Sequence, residues 1–192
     1  MIYAHSKNVC IVPGGRAGLT RIAAIVGEVY TSFSVPEYTC YDSMLSVFRR
    51  LVPIPSVLAA QNQYKMNTEQ LEESIKNQGI SVVVGSNPRN PTGTVAKGEE
   101  LETLVELARA GPTTLVLDEF YSWYHYDQKG RSYSAAEHVQ DVNQDPVIML
   151  DGLTKNWRLP GFRCCWIIGP EKVMDALSQS GSFLDGGTCS SN

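Results

Sequence analysis

Short apolar runs alternate with amphipathic segments along most of the chain. The strand-like runs are rich in β-branched residues and lie at 8–12, 80–86, 113–120, 146–153 and 164–169. A further run at 51–57 is also strand-like but contains two prolines. Strands that are buried on both faces read as continuous apolar runs. The pattern therefore predicts an α/β fold with a mostly parallel sheet and helices on both faces.

Amphipathic spacing predicts helices between these strands. Asn67 has the side chain of a helix N-cap, and Gly111 is a residue typical of helix C-termini. A polar stretch at 127–145 is expected to lie outside the sheet. The predicted helices cover 19–30, 67–78, 98–111 and 171 to about 180.

Composition narrows the class of protein. The chain has 192 residues, 43% of them hydrophobic and 19% charged, which is typical of one globular domain. A net charge of -4 argues against nucleic acid as a partner, and no apolar run is long enough to span a membrane. Five cysteines without regular spacing predict a reducing, cytoplasmic location. Adjacent Cys164 and Cys165 would point to opposite faces of a strand, so no metal site is predicted.

Four polar features follow predicted strands at their carboxyl ends. They are PGGRAG after 8–12, NPRNPTG after 80–86, Asp118 near the end of 113–120, and DGLTK within and after 146–153. Ligands of open α/β sheets bind beyond the carboxyl ends of the strands. Four such features at one rim predict a site for an extended polar ligand.

The glycine turn and the Asn-Pro repeat each have two interpretations. PGGRAG is either a tight connection or a phosphate cradle built from the backbone N–H groups of Gly15 and Arg16 at a helix N-terminus. It matches neither a Walker loop nor a GxGxxG motif. NPRNPTG is either a turn or a rigid loop that holds an amide from Asn87 or Asn90 toward a ligand.

The charged residues also have two interpretations. Asp118 is either a helix cap or a partner for a cationic ring nitrogen, with Tyr121 three residues further on. Lys155 is either a surface lysine or a partly desolvated amine that attacks carbonyls. Arg163 is either half of a surface ion pair or a phosphate ligand. Taken together, the functional interpretations describe a site for pyridoxal 5'-phosphate.

On these residues the chain resembles the fold type I pyridoxal-phosphate enzymes of the class I/II aminotransferase family. The resemblance covers almost the whole chain and implies the large domain of the aspartate aminotransferase-like fold. It implies that Asn90 and Tyr121 hydrogen-bond the pyridine hydroxyl and that Asp118 pairs with the ring nitrogen. It also implies that Lys155 forms a Schiff base with the cofactor and that Arg163 binds its phosphate.

The same resemblance assigns residues nearer the N-terminus. Gly14, Gly15 and Arg16 match the family's phosphate-binding turn. The segment 36–41 is similar to one whose aromatic residue stacks on the pyridine ring, which implies Tyr38. Lys155, Asp118 and Tyr121 are then the expected catalytic residues.

The chain departs from the family pattern in one motif and in length. Many members have serine where this chain has Gly152, and Thr154 is a candidate to replace it. The resemblance implies that 1–192 is the large domain, with the N-terminal segment and the C-terminal small domain absent. Trp123 and Trp157 are more readily interpreted as packing residues than as pocket residues.

The expected function is amino transfer between an amino acid and a 2-keto acid, in a homodimer that binds neither nucleic acid nor membrane. Two alternatives stay open. One is a different pyridoxal-phosphate reaction, such as that of a lyase or of a synthase similar to aminocyclopropane-carboxylate synthase. The other is a truncated remnant that binds the cofactor without catalysis.

Overall fold

A computed structural model describes residues 4–48, 50–126 and 132–187. These residues form one sheet of seven strands in the order β1-β7-β6-β5-β4-β2-β3. The strands are β1 (Val9–Val12), β2 (Val29–Val35), β3 (Leu51–Val57), β4 (Ile80–Ser86), β5 (Thr114–Asp118), β6 (Val147–Gly152) and β7 (Cys165–Ile168).

The strand directions bring the carboxyl ends of six strands to one rim. Strands β2 to β6 pair in parallel, whereas β7 is antiparallel to both of its neighbours, β6 and β1. Strand β1 therefore runs in the same direction as β6. The carboxyl ends of β1 to β6 consequently meet at the same edge, and the prediction of a mostly parallel sheet is confirmed.

Helices cover both faces of the sheet. They are α1 (Gly15–Ile25), α2 (Thr39–Val47), α3 (Thr68–Gln78), α4 (Glu99–Ala110) and α5 (Glu171–Leu184). On one face, Leu19 of α1 and Leu177 of α5 pack in a buried cluster with Leu150 of β6. On the other face, α3 and α4 bury their apolar sides against the sheet. Burial of such side chains is the main stabilising term of a layered fold of this kind.

Several predicted elements agree closely with the structure. The side chain of Asn67 accepts a hydrogen bond from the Gln70 N–H at 3.0 Å and caps α3. Helix α4 ends before Gly111, as its spacing predicts. Helix α5 is longer than predicted and continues to Leu184.

The helix predicted over 19–30 is wrong in its bounds. Helix α1 begins at Gly15 and ends at Ile25, and Val29 already belongs to β2. Strand β2 is absent from the sequence prediction because its sequence, VYTSFSV, contains three polar residues. Ser32 of that strand is buried, and its hydroxyl lies 3.3 Å from the Ser56 hydroxyl on β3.

Three further observations concern predictions made from composition. The cysteines at 10, 40, 164 and 165 are free, and Cys189 lies outside the described residues. Within 4–48, 50–126 and 132–187, no helix combines the length and apolar character that a bilayer crossing requires. Within the same ranges, no group of three or more His, Cys, Asp or Glu side chains could hold a metal ion.

Candidate active site

The glycine turn after β1 places a guanidinium against the start of α1. Gly14 is the N-cap of α1 and has φ of 110°, a conformation that favours glycine. A Cβ at Gly14 would lie 2.0 Å from Nη2 of Arg163, so the guanidinium occupies the space that any other side chain would need. The first N–H groups of a helix, here those of Gly15 and Arg16, have no partner within the helix. The arginine and the helix terminus together form a site for an anion.

A buried carboxyl group lies at the end of β5. Asp118 is 8% exposed, and burial raises its pKa to about 7. The Tyr41 hydroxyl donates to its Oδ2 at 3.2 Å, and the Phe120 N–H donates to its Oδ1 at 3.3 Å. The chain turns directly after Asp118 and no helix begins there, so the helix-cap interpretation is wrong. A buried carboxyl of this kind favours a cationic partner.

Tyr41 is a residue that the sequence interpretation missed. Its side chain is fully buried, and burial together with the charge of Asp118 raises the pKa of the phenol well above its usual value. Its ring packs edge-on against the ring of Tyr38, with centroids 5.7 Å apart. The spacing of three residues between these tyrosines at the start of α2 was the available signal, because such residues share one helix face.

Lys155 lies at the mouth of the site, in the turn that follows β6. Its Nζ is 5.7 Å from the centroid of the Tyr121 ring. The Tyr124 hydroxyl donates to the Lys155 carbonyl at 3.1 Å and fixes the turn. The residue is exposed, so the expectation of a partly desolvated amine is wrong for this structure. The reason is that Lys155 follows the strand in an open turn and is not packed between strands.

The two asparagines of the Asn-Pro repeat have different contacts. The Asn87 amide accepts from the Ala96 N–H at 2.9 Å and donates to the Ala96 carbonyl at 3.0 Å, so it braces the loop. The Asn90 side chain makes no hydrogen bond to any residue that the structure describes. Asn90 is therefore the amide that is available to a ligand.

These groups surround one cavity of about 330 Å³, a volume within the range of small-molecule sites. Every site residue predicted from the sequence lines it except Gly14, which lies behind Arg163. Trp123 and Trp157 lie outside it, with 47% and 46% of their surface exposed. The lining residues are Gly15, Arg16, Leu19, Tyr38, Asn90, Asp118, Phe120, Tyr121, Thr154, Lys155 and Arg163.

The presence of glycine at position 152 has a steric explanation. A Cβ at this position would lie 2.4 Å from Sγ of Cys165 on the neighbouring strand β7, so a serine does not fit without movement. Thr154 lines the cavity, and its hydroxyl is 3.7 Å from the same sulfur. The hydroxyl available at this part of the rim is therefore that of Thr154.

The order of the strands fixes the order of these groups along the rim. The anion site belongs to the tips of β1 and β7, the amine follows β6, and the carboxyl group ends β5. The free amide follows β4, and Tyr38 follows β2. The set suits a ligand that carries an anionic tail, a carbonyl group and a basic ring nitrogen.

Comparisons with known proteins agree with this chemistry. The family model described as "Aminotransferase class I and II" matches residues 2–188. An aspartate aminotransferase of Sulfurisphaera tokodaii is 30% identical over 180 residues, covering 91% of this chain and 43% of that protein. Human kynurenine–oxoglutarate transaminase 1 is 25% identical over 182 residues, covering 89% of this chain and 42% of that protein.

Solved structures show the same fold. The aspartate aminotransferase of Thermus thermophilus with maleate superposes with a TM-score of 0.84 at 22% identity. The match covers 96% of this chain and 47% of that one. The chain thus spans less than half the length of the relatives that it matches.

Proposed function

The chain belongs to the aminotransferase class I and II family, whose members depend on pyridoxal 5'-phosphate, and from this premise we propose that it binds the cofactor and transfers an amino group between an amino acid and a 2-keto acid. One observation supports the proposal most strongly. A cation with free helix N–H groups, an amine, a buried carboxyl group and a free amide line the same cavity.

The residues present fit the cofactor group by group. The guanidinium of Arg163 and the N–H groups of Gly15 and Arg16 would hold the phosphate, and Gly14 leaves the space for that guanidinium. The ring of Tyr38 would stack on the pyridine ring.

Asp118 would keep the ring nitrogen protonated. When bound, the cofactor supplies an electron sink for negative charge at the substrate's α-carbon. A pyridinium beside the buried carboxyl gives Asp118 the opposite charge that its environment lacks, which favours the ionised carboxylate. Tyr41 holds this carboxylate in place, and Asn90 and Tyr121 would donate to the ring hydroxyl.

Lys155 would form the covalent link to the aldehyde carbon through Nζ. When the amino acid substrate takes its place, the freed amine would carry a proton to and from the α-carbon as a general acid and base. The exposed position at the cavity mouth makes this nitrogen accessible to an incoming substrate. The turn itself stays fixed, because Asn156 donates to Ser122 Oγ at 3.1 Å and to Asp151 Oδ1 at 3.2 Å.

The substrate proposal stops at the chemical class. The relatives named above act on different amino acids, and the chain spans less than half of their length. We propose that residues 1–192 act as the large, cofactor-binding domain and that the chain forms a homodimer, as is typical of the family. Size-exclusion chromatography tests this dimer.

Cofactor binding tests the first step. The purified chain is mixed with pyridoxal 5'-phosphate, reduced with borohydride, digested and mapped by mass spectrometry. We expect the cofactor mass on the peptide that contains Lys155, and none after Lys155→Ala. Lys172→Ala, at an exposed lysine on α5, is the matched control and should label like the wild type. Equal labelling in both variants would contradict the assignment.

Turnover tests the second step. Amino acids are added to the loaded chain with 2-oxoglutarate, and the products are identified by mass spectrometry. A keto acid together with a new amino acid supports transamination. An elimination or decarboxylation product would instead support the other pyridoxal-phosphate reactions. Labelling without any product would support a chain that binds the cofactor without catalysis.

A further inference from the structure

A buried ion pair lies directly behind the cavity wall. Glu37 lies in the segment between β2 and α2, and its side chain is 2% exposed. Its carboxylate accepts hydrogen bonds from Arg89 Nε at 3.2 Å, from the Tyr38 N–H at 3.2 Å and from the Ser86 N–H at 3.4 Å. The Ser86 hydroxyl also donates to it. One carboxylate thus joins the end of β4 and the Asn-Pro loop to the start of α2.

The same cluster reaches a cavity residue through the backbone. The Ser86 hydroxyl accepts from the N–H of Asn90 at 2.9 Å while it donates to Glu37. Arg89 is 8% exposed in its side chain and donates from Nη1 to the Tyr64 carbonyl at 3.0 Å. Glu37, Ser86 and Arg89 do not line the cavity, although Asn90 does.

The loop has internal hydrogen bonds that fix its shape. The Arg89 N–H donates to the Thr94 carbonyl and the Gly93 N–H to the Arg89 carbonyl, each at 2.8 Å. These contacts lie within the loop, so they do not set its distance from Tyr38, which lies between β2 and α2. The contacts of Glu37 do, because Glu37 directly precedes Tyr38 in the chain and its carboxylate accepts hydrogen bonds from Ser86 and Arg89.

We propose that Glu37, Ser86 and Arg89 are positioning residues that hold the amide of Asn90 and the ring of Tyr38 at a fixed separation across the cavity. The proposal rests on the proposed function, in which these two side chains contact the ring of the cofactor. A buried ion pair is a weak source of net stability but holds its partners firmly, because either charge left alone in the interior is strongly unfavourable. That property suits a positioning role.

Two variants test the contribution of the Ser86 hydroxyl and that of the Glu37 charge separately. Ser86→Ala keeps the ion pair and removes the acceptor of the Asn90 N–H, whereas Glu37→Gln removes the charge. Asp145→Asn is the matched control, because Asp145 forms a comparable pair with Arg109 at 2.8 Å and lies outside the cavity lining. If Glu37→Gln fails to fold, Ser86→Ala alone decides.

The first measurement is hydrogen–deuterium exchange of the cofactor-free chain. Peptides that cover 86–94 should exchange faster in both variants than in the wild type, and the control should leave them unchanged. The second is titration with pyridoxal 5'-phosphate. Both variants should bind about 10-fold more weakly, by analogy with the loss of affinity when groups that orient metal ligands are removed. The absorbance maximum of the bound cofactor should also shift, because the ring hydroxyl loses a fixed partner.

Two results would overturn the inference. One is unchanged exchange over 86–94 in both variants. The other is a loss of affinity no larger than that of Asp145→Asn, with an unshifted spectrum, since general destabilisation would then explain it. If the wild-type chain does not bind the cofactor, the proposed function fails, and the exchange data alone decide whether the cluster holds the loop.

Discussion

Replacing Asp118 with asparagine should stabilise the cofactor-free chain at alkaline pH while weakening its affinity for pyridoxal 5'-phosphate. Asparagine keeps an oxygen that can accept from the Phe120 N–H, and its amide nitrogen can donate to the Tyr41 hydroxyl. The substitution therefore removes the charge and preserves the hydrogen bonds. Burial disfavours the ionised carboxylate of Asp118, whereas a pyridinium ring beside it would stabilise that charge.

The sign and size follow from the pKa of Asp118. Burial raises it from 3.8 in a solvated aspartate to about 7 in the folded chain. Between these two values the folded state holds a proton that the unfolded state has lost, so the free energy of unfolding falls as pH rises from about 4 to about 7. Above that window the free energy of unfolding has fallen by its full amount, up to about 4 kcal/mol, at 1.36 kcal/mol for each unit of the pKa shift. Asparagine does not titrate, so the free energy of unfolding of the variant lacks this fall with pH.

Urea unfolding of both proteins at about pH 5 and about pH 8.5 measures the effect. The advantage of Asp118→Asn over the wild type should be larger at the higher pH by about 2 to 3 kcal/mol, because part of the loss has already occurred at about pH 5. Glu119, whose pKa burial also raises to about 7, stays in both proteins, so its effect largely cancels in the comparison. An advantage that is independent of pH would refute the reasoning, as would a variant that is less stable than the wild type at about pH 8.5.

Two further predictions concern glycines of the site. Gly14→Ala should weaken binding of pyridoxal 5'-phosphate about 10-fold but leave binding of unphosphorylated pyridoxal unchanged, because the new Cβ displaces the Arg163 guanidinium. Gly79→Ala is the control: its φ is also positive, nothing lies within 4 Å of its Cβ position, and both affinities should stay normal. Gly152→Ser should lower the free energy of unfolding by about 1 to 3 kcal/mol in urea titrations, because of the contact with Cys165, and an unchanged midpoint would contradict the steric explanation.

The sequence predicted the elements in which the apolar residues coincide with the buried positions. Strand β4 is apolar apart from Ser81 and Ser86, and α4 has one apolar face, so both were found with nearly correct bounds. Strand β2 was missed because its buried positions include Thr31 and Ser34, which look exposed when read by polarity alone. What makes these residues strand residues is pairing with β3 and β4, which no local pattern contains.

The site was predictable where its residues follow strand ends. Asn90, Asp118 and Lys155 each come shortly after or at the end of a strand, and parallel strands bring such positions together. Tyr41 and Glu37 were missed because their contacts cross from the β2 side of the sheet to β4 and β5. Such contacts depend on the strand order, in which β2 adjoins β4, and that order is not written in the sequence.

The two prolines of β3 have a consequence for the behaviour of the chain in concentrated solution. Strand β3 ends the described sheet on the side of β2, and Pro53 and Pro55 are two residues apart, so their missing N–H groups face the same way. The parallel ladder to β2 remains, so the missing donors belong to the outer edge. A strand from another molecule would find too few donors there to dock. These prolines thus act as gatekeepers against aggregation, a protection that two valines at the same positions would remove.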